Sequence, residues 1–349
     1  MRVTYVLGRP ELGGGPKVAF LHAGLLRQRG DEVTVLGDGP EPDWIDLDRL
    51  GVRYADRGTG PPRLPSQDLV IATWWETLPA AQSLGLGPLA HFCQGYEGDL
   101  VHLRPRLAEI EAVYSRQAPA LVVSPHLADF LRQRFGRDSR LAPPPLDPLF
   151  RPAWRLRPRR RPWIAVPGIF EAEVKDVPTA LRAVRRLRDL GIAARVLRFS
   201  ILPLSAGERS LLPPERDFRD VRYLQAVPPR EVARALRRCD LLFLPSRAGE
   251  GFGLPLLEAL AAGVPAVASR LPSTLEMAEG AAALVPAGDD HAFAEAARAL
   301  LAVPEVWRRA RELGFHAARR FRPETVAPQL HEAVDWARER ALQTEEPTS

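Results

Sequence analysis

The sequence is 349 residues long, 46% hydrophobic and 26% charged, a globular composition with enough apolar material for two α/β lobes that each bury their own core. No uninterrupted apolar run approaches the roughly 20 residues that a spanning helix needs, and the opening strand pattern runs into glycines without a signal region, so a cytoplasmic protein is expected. The net charge of +5 admits an anionic partner, although with only Lys17 and Lys175 as lysines, no asparagine and 35 prolines the arginine excess also reads as codon bias.

In chain order, residues 3–7 form a strand, 16–29 a helix, 32–36 a strand and 68–73 another strand. A strand at 89–93, a helix at 100–115, a short strand at 120–124 and a helix at 125–135 complete one doubly wound parallel lobe. Between 141 and 162 the chain turns rich in proline and arginine, which neither a helix nor a central strand tolerates. The expected organisation is therefore a Rossmann-like lobe at 1–150, a solvated linker at 151–162 and a second such lobe at 163–325. In the second lobe the strands are 163–167, 194–199, 221–224 and 240–245, with helices at 177–190 and 229–238. A final helical stretch covers 303–341, and the tail from Glu345 is expected to be disordered. Two such lobes facing each other would place the carboxyl ends of both sheets at a cleft, where open α/β sheets bind ligands. Cys93 and Cys239 fall in different lobes and are expected as buried thiols rather than a disulfide.

The most informative segment follows the strand at 240–245. It carries Glu250, Gly251, Phe252, Gly253 and Leu254, and then a helix bounded by Pro255 in its first turn and Gly263 at its end. A helix start of this kind offers free N–H groups and a positive dipole end to a diphosphate, and glycines let the backbone approach it. Glu258 is the only ionisable residue between Gly251 and Ser269, set among Leu254, Ala261 and Ala262, so its charge needs an acceptor-seeking partner.

Glu250 and Glu258 are separated by seven residues in a frame that resembles the E-x7-E motif of retaining GT-B glycosyltransferases of family 4. The glycine loop Gly13-Gly14-Gly15-Pro16-Lys17, the segment from Leu25 to Val33, Pro144-Pro145-Leu146-Asp147 with Phe150, the loop from Gly168 to Lys175, and Gly288-Asp289-Asp290 resemble that family in the same order. The resemblance implies a GT-B fold, with the last helix, at 326–349, crossing back to the first lobe. It also implies a nucleoside-diphosphate sugar as substrate and transfer of a hexose or deoxyhexose, with retention, to a glycan or lipid-linked acceptor.

By the same resemblance Glu250 contacts the donor sugar, Glu258 the nucleotide ribose, and the N–H groups of Phe252 to Leu254 the sugar and phosphates. Lys175 stabilises the departing diphosphate, and Gly14 and Gly15 close over it. A lysine suits this task as a compact point charge. The family usually places an arginine shortly after the glycine that corresponds to Gly168. Here Ile169 and Phe170 follow, so Arg247 and Arg198 are the candidate replacements. Where many members carry a histidine near the donor sugar this chain has Gln94, which hydrogen-bonds but cannot act as acid or base. His91 is expected in the core. The segment Gln94-Gly95-Tyr96-Glu97 is similar to some bacterial rhamnosyl- and mannosyltransferase-like members, and Gln94, Tyr96 and Trp74 are the candidate acceptor or sugar contacts.

Asp46-Leu47-Asp48 has metal-site spacing but lies in a short helical segment, so no required metal and no cofactor are expected. No nucleic-acid partner is expected either; the basic surface admits peripheral association with an inner membrane face. Two alternatives stand beside the transferase. One is a catalytically inactive glycan- or nucleotide-binding protein of the same fold; the other is an NAD-dependent dehydrogenase using Gly13 to Gly15 and Asp38, though Val18 occupies the place of its third glycine.

Overall fold

Short runs of Val, Leu, Ile and Ala, buried on both faces, alternate with helices along most of the chain, the pattern of parallel strands covered on either side. The computed structural model describes residues 1–60, 64–153, 155–212, 220–278 and 280–345. It divides into two compact units, the first being Met1–Pro145 with the segment from Phe321 onward, the second Leu146–Arg320.

Unit 1 contains β1 (Arg2–Val6), α1 (Gly14–Arg29), β2 (Glu32–Gly37), α2 (Leu47–Leu50), β3 (Arg53–Asp56), β4 (Leu69–Ala72), α3 (Thr77–Leu84), β5 (Leu89–Cys93), α4 (Leu107–Tyr114), β6 (Ala120–Val122), α5 (Pro125–Phe135) and β7 (Ser139–Leu141). Its sheet runs β3-β2-β1-β4-β5-β6-β7, parallel throughout. The helix expected over 100–115 splits, because Pro105 has no N–H to donate; residues Val101–Arg106 form a 3-10 turn before α4 begins.

Unit 2 contains β8 (Trp163–Pro167), α6 (Val177–Asp189), β9 (Arg195–Ser200), α7 (Ala206–Leu211), β10 (Val221–Gln225), α8 (Pro229–Leu236), β11 (Leu241–Leu244), α9 (Leu254–Ala261), β12 (Ala266–Ser269), α10 (Pro272–Ala278), β13 (Ala283–Val285), α11 (Asp290–Ala302) and α12 (Pro304–Ala318). Its sheet, also all parallel, runs β10-β9-β8-β11-β12-β13. In each sheet the strand order reverses beside the unit's first strand, at β1/β4 and at β8/β11, which opens a crevice at the strands' carboxyl ends.

The chain from 303 to 341 is not one helix. It breaks at Arg319–Phe321, and α13 (Pro323–Glu345) then packs in unit 1 against α1, β5 and β7, with Leu330, Val334, Ala337 and Ala341 buried. Arg29 donates to Asp335 at 2.8 Å and Arg340 to Asp138 at 2.8 Å, tying its middle and its C-terminal half to the unit. Glu345, expected in a disordered tail, closes this helix; residues 346–349 lie outside the described residues.

The arginine-rich segment read as a solvated linker is strapped onto unit 2. Asp240, fully buried just before β11, accepts from the side chain of Arg155, from the Arg159 guanidinium at 3.1 Å and from the N–H groups of Arg159 and Trp163. Arg161 pairs with Asp220. A buried carboxylate has to be compensated, and these arginines do it.

Candidate functional site

At the unit 2 crevice two loops meet, one leaving β8 and one leaving β11. The first turns at Gly168, whose φ of +113° requires glycine and where a Cβ would stand 3.1 Å from the Cβ of Lys175. It ends at Asp176, a left-handed non-glycine residue with φ of 40°, whose buried carboxylate accepts from the Thr179 hydroxyl at 2.8 Å and from Arg247 Nε at 2.9 Å. Those bonds to α6 and to the second loop fix the unfavourable backbone conformation of Asp176. Arg247 N–H also donates to the Val174 carbonyl at 2.8 Å, so the two loops are stitched together.

Across that seam Lys175 Nζ donates to Glu250 Oε2 at 2.6 Å, and Ser246 Oγ donates to the same oxygen at 2.9 Å. Burial would push the Glu250 carboxyl up, but the adjacent Lys175 ammonium, the Ser246 hydroxyl and the Gly253 N–H together hold it below the usual carboxylate range. Glu250 is therefore an ionised acceptor in a nearly closed site, its side chain 9% exposed, while the Lys175 side chain keeps 32% exposure.

Gly253, with φ of +86°, caps α9; Pro255 sits in its first turn and Gly263, with φ of +68°, follows its end. Gly251 and Phe252 are buried before the cap, the Gly253 amide is committed to Glu250, and Leu254 heads the helix. Glu258 is half-buried about one turn into α9. Of the expected unit 2 residues, Lys175 and Glu250 are thus in direct contact, with the Gly253 N–H bonded to Glu250. Ser246 and Asp176 complete the arrangement; nothing in the sequence singles them out except their places beside the motif residues.

Of the two arginines considered as substitutes for the missing phosphate arginine, Arg198 is corrected. It is fully buried, paired with Glu208, and donates to the carbonyls of Val166, Phe199 and, at 2.8 Å, Gly168. It shapes the Gly168 turn from behind and presents no guanidinium to a ligand. Arg247, paired with Asp176 by one nitrogen and 48% exposed, keeps donors on the open side.

In unit 1 the corresponding crevice is formed by the start of α1 and the turns after β4 and β5. Gly14 and Gly15 are the first two residues of α1, and Pro16, which follows, carries no N–H. Lys17 is buried in the first turn. Gln94, after β5, donates from Nε2 to the Gly15 carbonyl at 3.3 Å, and a Cβ at Gly15 would lie 3.4 Å from that nitrogen, so the glycine admits the amide. Trp74 is half-buried after β4, where its N–H and that of Thr73 both donate to Thr77 Oγ1 at 2.9 Å.

Tyr96 is a different matter. It is 5% exposed and its ring packs against Tyr114, Phe130 and Phe135, so the structure places it in the core and not open to an acceptor. His91 is also core: its Nδ1 bonds Arg137, and burial together with that guanidinium holds its pKa well below the ordinary value. Asp38, the acid of the dehydrogenase alternative, pairs with Arg57 at 2.7 Å. Asp46 caps α2 by accepting from Arg49 N–H; among the described residues no group of three or more His, Cys, Asp or Glu is arranged to hold a metal ion. No helix among them is long and apolar enough to cross a membrane.

Residues 161–303, which span both loops of the unit 2 crevice, match the family described as Glycosyl transferases group 1. The chain carries a domain of glycosyl transferases group 1. Curated relatives share this part of it. A phosphatidyl-myo-inositol mannosyltransferase of Mycobacterium leprae is 38% identical over 112 residues, 32% of this chain and 30% of that protein. A D-inositol 3-phosphate glycosyltransferase of Corynebacterium efficiens is 30% identical over 178 residues, 50% of this chain and 40% of the relative. The chain thus spans well under half the length of the curated relatives it matches. Solved structures cover nearly all of it: sucrose-phosphate synthase from Thermosynechococcus elongatus has a TM-score of 0.76 at 18% identity over 99% of this chain and 100% of its own. HepE of Anabaena, in complex with UDP-glucose, has 0.78 at 14% over 96% of this chain and 100% of its own. These likenesses show the fold, two Rossmann-like parallel-sheet lobes of the GT-B type.

Proposed function

We propose that the chain is a retaining glycosyltransferase that moves a hexose or deoxyhexose from a nucleoside-diphosphate sugar to a glycan or lipid-linked acceptor, without a required metal or cofactor. The observation that carries this reading is the Lys175–Glu250 pair, set at the topological switch point of the unit 2 sheet and at the head of α9. Glycosyl transfer needs a cation or N–H groups where the diphosphate departs and an ionised acceptor where sugar hydroxyls are held, and this pair supplies one of each. HepE's complex with UDP-glucose and the mannosyltransferase relative support a nucleotide-sugar donor. Retention follows from the family resemblance.

In this reading Lys175, Arg247 and the α9 start hold the diphosphate, Glu250 accepts hydrogen bonds from the donor sugar, and Glu258 binds the ribose. As the bond between the anomeric carbon and the diphosphate oxygen breaks, the electron pair stays on that oxygen, where the Lys175 ammonium stabilises the charge. The acceptor oxygen bonds to the anomeric carbon on the same face, and its proton passes to the departing diphosphate oxygen. Gly14 and Gly15 are assigned to the diphosphate, and Gln94 and Trp74 to sugar or acceptor; Tyr96 is left out because it is buried. The exposed arginines and the net charge of +5 favour a cytoplasmic protein at an anionic membrane surface.

A non-catalytic binding protein is the second reading, favoured by Ile169 and Phe170 in place of the phosphate arginine and by the burial of Arg198. Thermal-shift screening against UDP, GDP, TDP, ADP and NAD, with and without magnesium, tests the donor site, since a ligand of the folded state raises its apparent stability. A nucleoside diphosphate is expected to stabilise the wild type and not Glu258→Ala. Stabilisation by NAD alone would overturn the proposal, and binding without any turnover would favour the second reading.

A further inference from the structure

Behind the Gln94 turn lies a buried polar cluster that the proposed transfer leaves unused. Cys93, Glu97 and Tyr114 are all buried, Glu97 at 4% exposure, beneath the ring of Tyr96. Tyr114 Oη lies 2.9 Å from the Gly95 carbonyl oxygen and in a short hydrogen bond with Glu97 Oε2, while Cys93 Sγ lies 3.3 Å from the same carbonyl. The Glu97 carboxyl also accepts from its own N–H and from that of Trp75, so it ties the loop after β4 to the loop after β5. Among the described residues no basic side chain pairs with Glu97. Arg137 lies beyond Tyr114 and Cys93, bonded to His91 Nδ1 and to the Tyr114 and Ala118 carbonyls; Asp99, two residues on, faces Arg134.

Hydrogen counting decides how this cluster works. Tyr114 has one hydroxyl hydrogen and two oxygens within bonding distance, and the Gly95 carbonyl can only accept. If Glu97 is ionised, one of those two contacts sets lone pairs against each other with no hydrogen between. A neutral Glu97 satisfies both.

We propose that Glu97 is a positioning residue that works as a neutral acid: its O–H donates to Tyr114 Oη, Tyr114 O–H donates to the Gly95 carbonyl, and the closed chain fixes the turn that holds Gln94 against Gly15. The proposal rests on the reading of Gln94 as a sugar or acceptor contact. Loss of the Glu97 proton to solvent turns the Tyr114 hydrogen to the carboxylate and leaves the Gly95 carbonyl held by the Cys93 thiol alone. Burial agrees with this assignment, pushing the carboxyl up to about 7 against the bonds from Tyr114, its own N–H and the Trp75 N–H.

The test uses the full chain with glutamate side chains labelled at the carboxyl carbon, titrated by NMR from pH 4 to 9. One carboxyl is expected to titrate near neutrality, and that signal is expected to be missing in Glu97→Gln. Should that variant not fold, the wild-type titration decides alone: if every glutamate titrates in the ordinary range, the proposal is overturned. Hydrolysis of UDP-glucose, GDP-mannose or TDP-rhamnose, whichever stabilises the protein, is expected to fall through the same midpoint. Glu97→Gln is expected to flatten that profile, and Tyr114→Phe to lower kcat several-fold at pH 6 with nucleoside-diphosphate affinity within twofold. A pH profile unchanged in Glu97→Gln overturns the positioning role. If no nucleoside diphosphate binds, the transferase reading falls while the NMR titration still decides the state of Glu97.

Discussion

The two crevices occupy the same topological position and are chemically unlike. Unit 2 sets an ammonium against a carboxylate at the switch between β8 and β11; unit 1 sets a carboxamide and two glycines beside a buried network of Glu97, Tyr114 and Cys93. The fold gives both units a place for a ligand, and the side chains decide what each place can do. Charge belongs where charge develops in the reaction, and alignment by neutral hydrogen bonds suffices elsewhere.

The largest difference should come from removing the acceptor of the charged site. Glu250→Ala is expected to lower turnover about 10²-fold or more, as loss of a group that supports the transition state does; an unchanged rate in a steady-state assay would erase the contrast. In unit 1 the corresponding effect is on stability. Because the folded-state pKa of Glu97 is raised from 4.5 to about 7, the folded protein holds a proton that the unfolded chain has lost. Stability is then fully present below the unfolded value, falls as pH rises from about 4.5 to about 7, and loses on the order of 3 kcal/mol. Denaturant melts at pH 5 and pH 7.5 check the sign, and Glu97→Gln should remove that slope.

The glycines separate the units by mechanism. Gly253→Ala forces a left-handed side-chain residue at the α9 cap and is expected to cost roughly 1–2 kcal/mol by thermal unfolding. Gly15→Ala carries no such strain, and its added Cβ meets only the Gln94 amide, so stability should hold while Gln94 shifts. The smallest effect expected is that of Gln94→Ala, about tenfold or less in turnover, since a neutral hydrogen bond contributes about 1 kcal/mol.

Much of this was legible in the residues. The alternation of apolar runs and amphipathic stretches located the central strands of both sheets, because strands buried on two faces are mostly apolar. Edge and short strands were missed. Arg53–Asp56 and Ser139–Leu141 carry arginines on exposed sheet edges, and Ala266–Ser269 is four small residues long. Glycine and proline placed the α9 start, since a positive φ and a missing N–H leave marks in the sequence. What did not show was partnership at long range. Arg198 reads as a free cation until Glu208 and the Gly168 carbonyl are seen beside it, and the arginines near 160 read as solvated until Asp240 is seen to be buried. Tyr96 and Glu97 alternate with polar neighbours like a surface loop, and only the packing of Tyr114, Phe130 and Phe135 around Tyr96, with Tyr114 against Glu97, shows them to be enclosed.

The charged pair is the centre of the account, and calorimetric titration of wild type and Lys175→Met with the stabilising nucleoside diphosphate tests it most directly. An affinity reduced tenfold or more in Lys175→Met, with the fold retained, is the predicted result. Equal affinity in the two proteins would contradict the assignment of the unit 2 crevice to the donor's diphosphate.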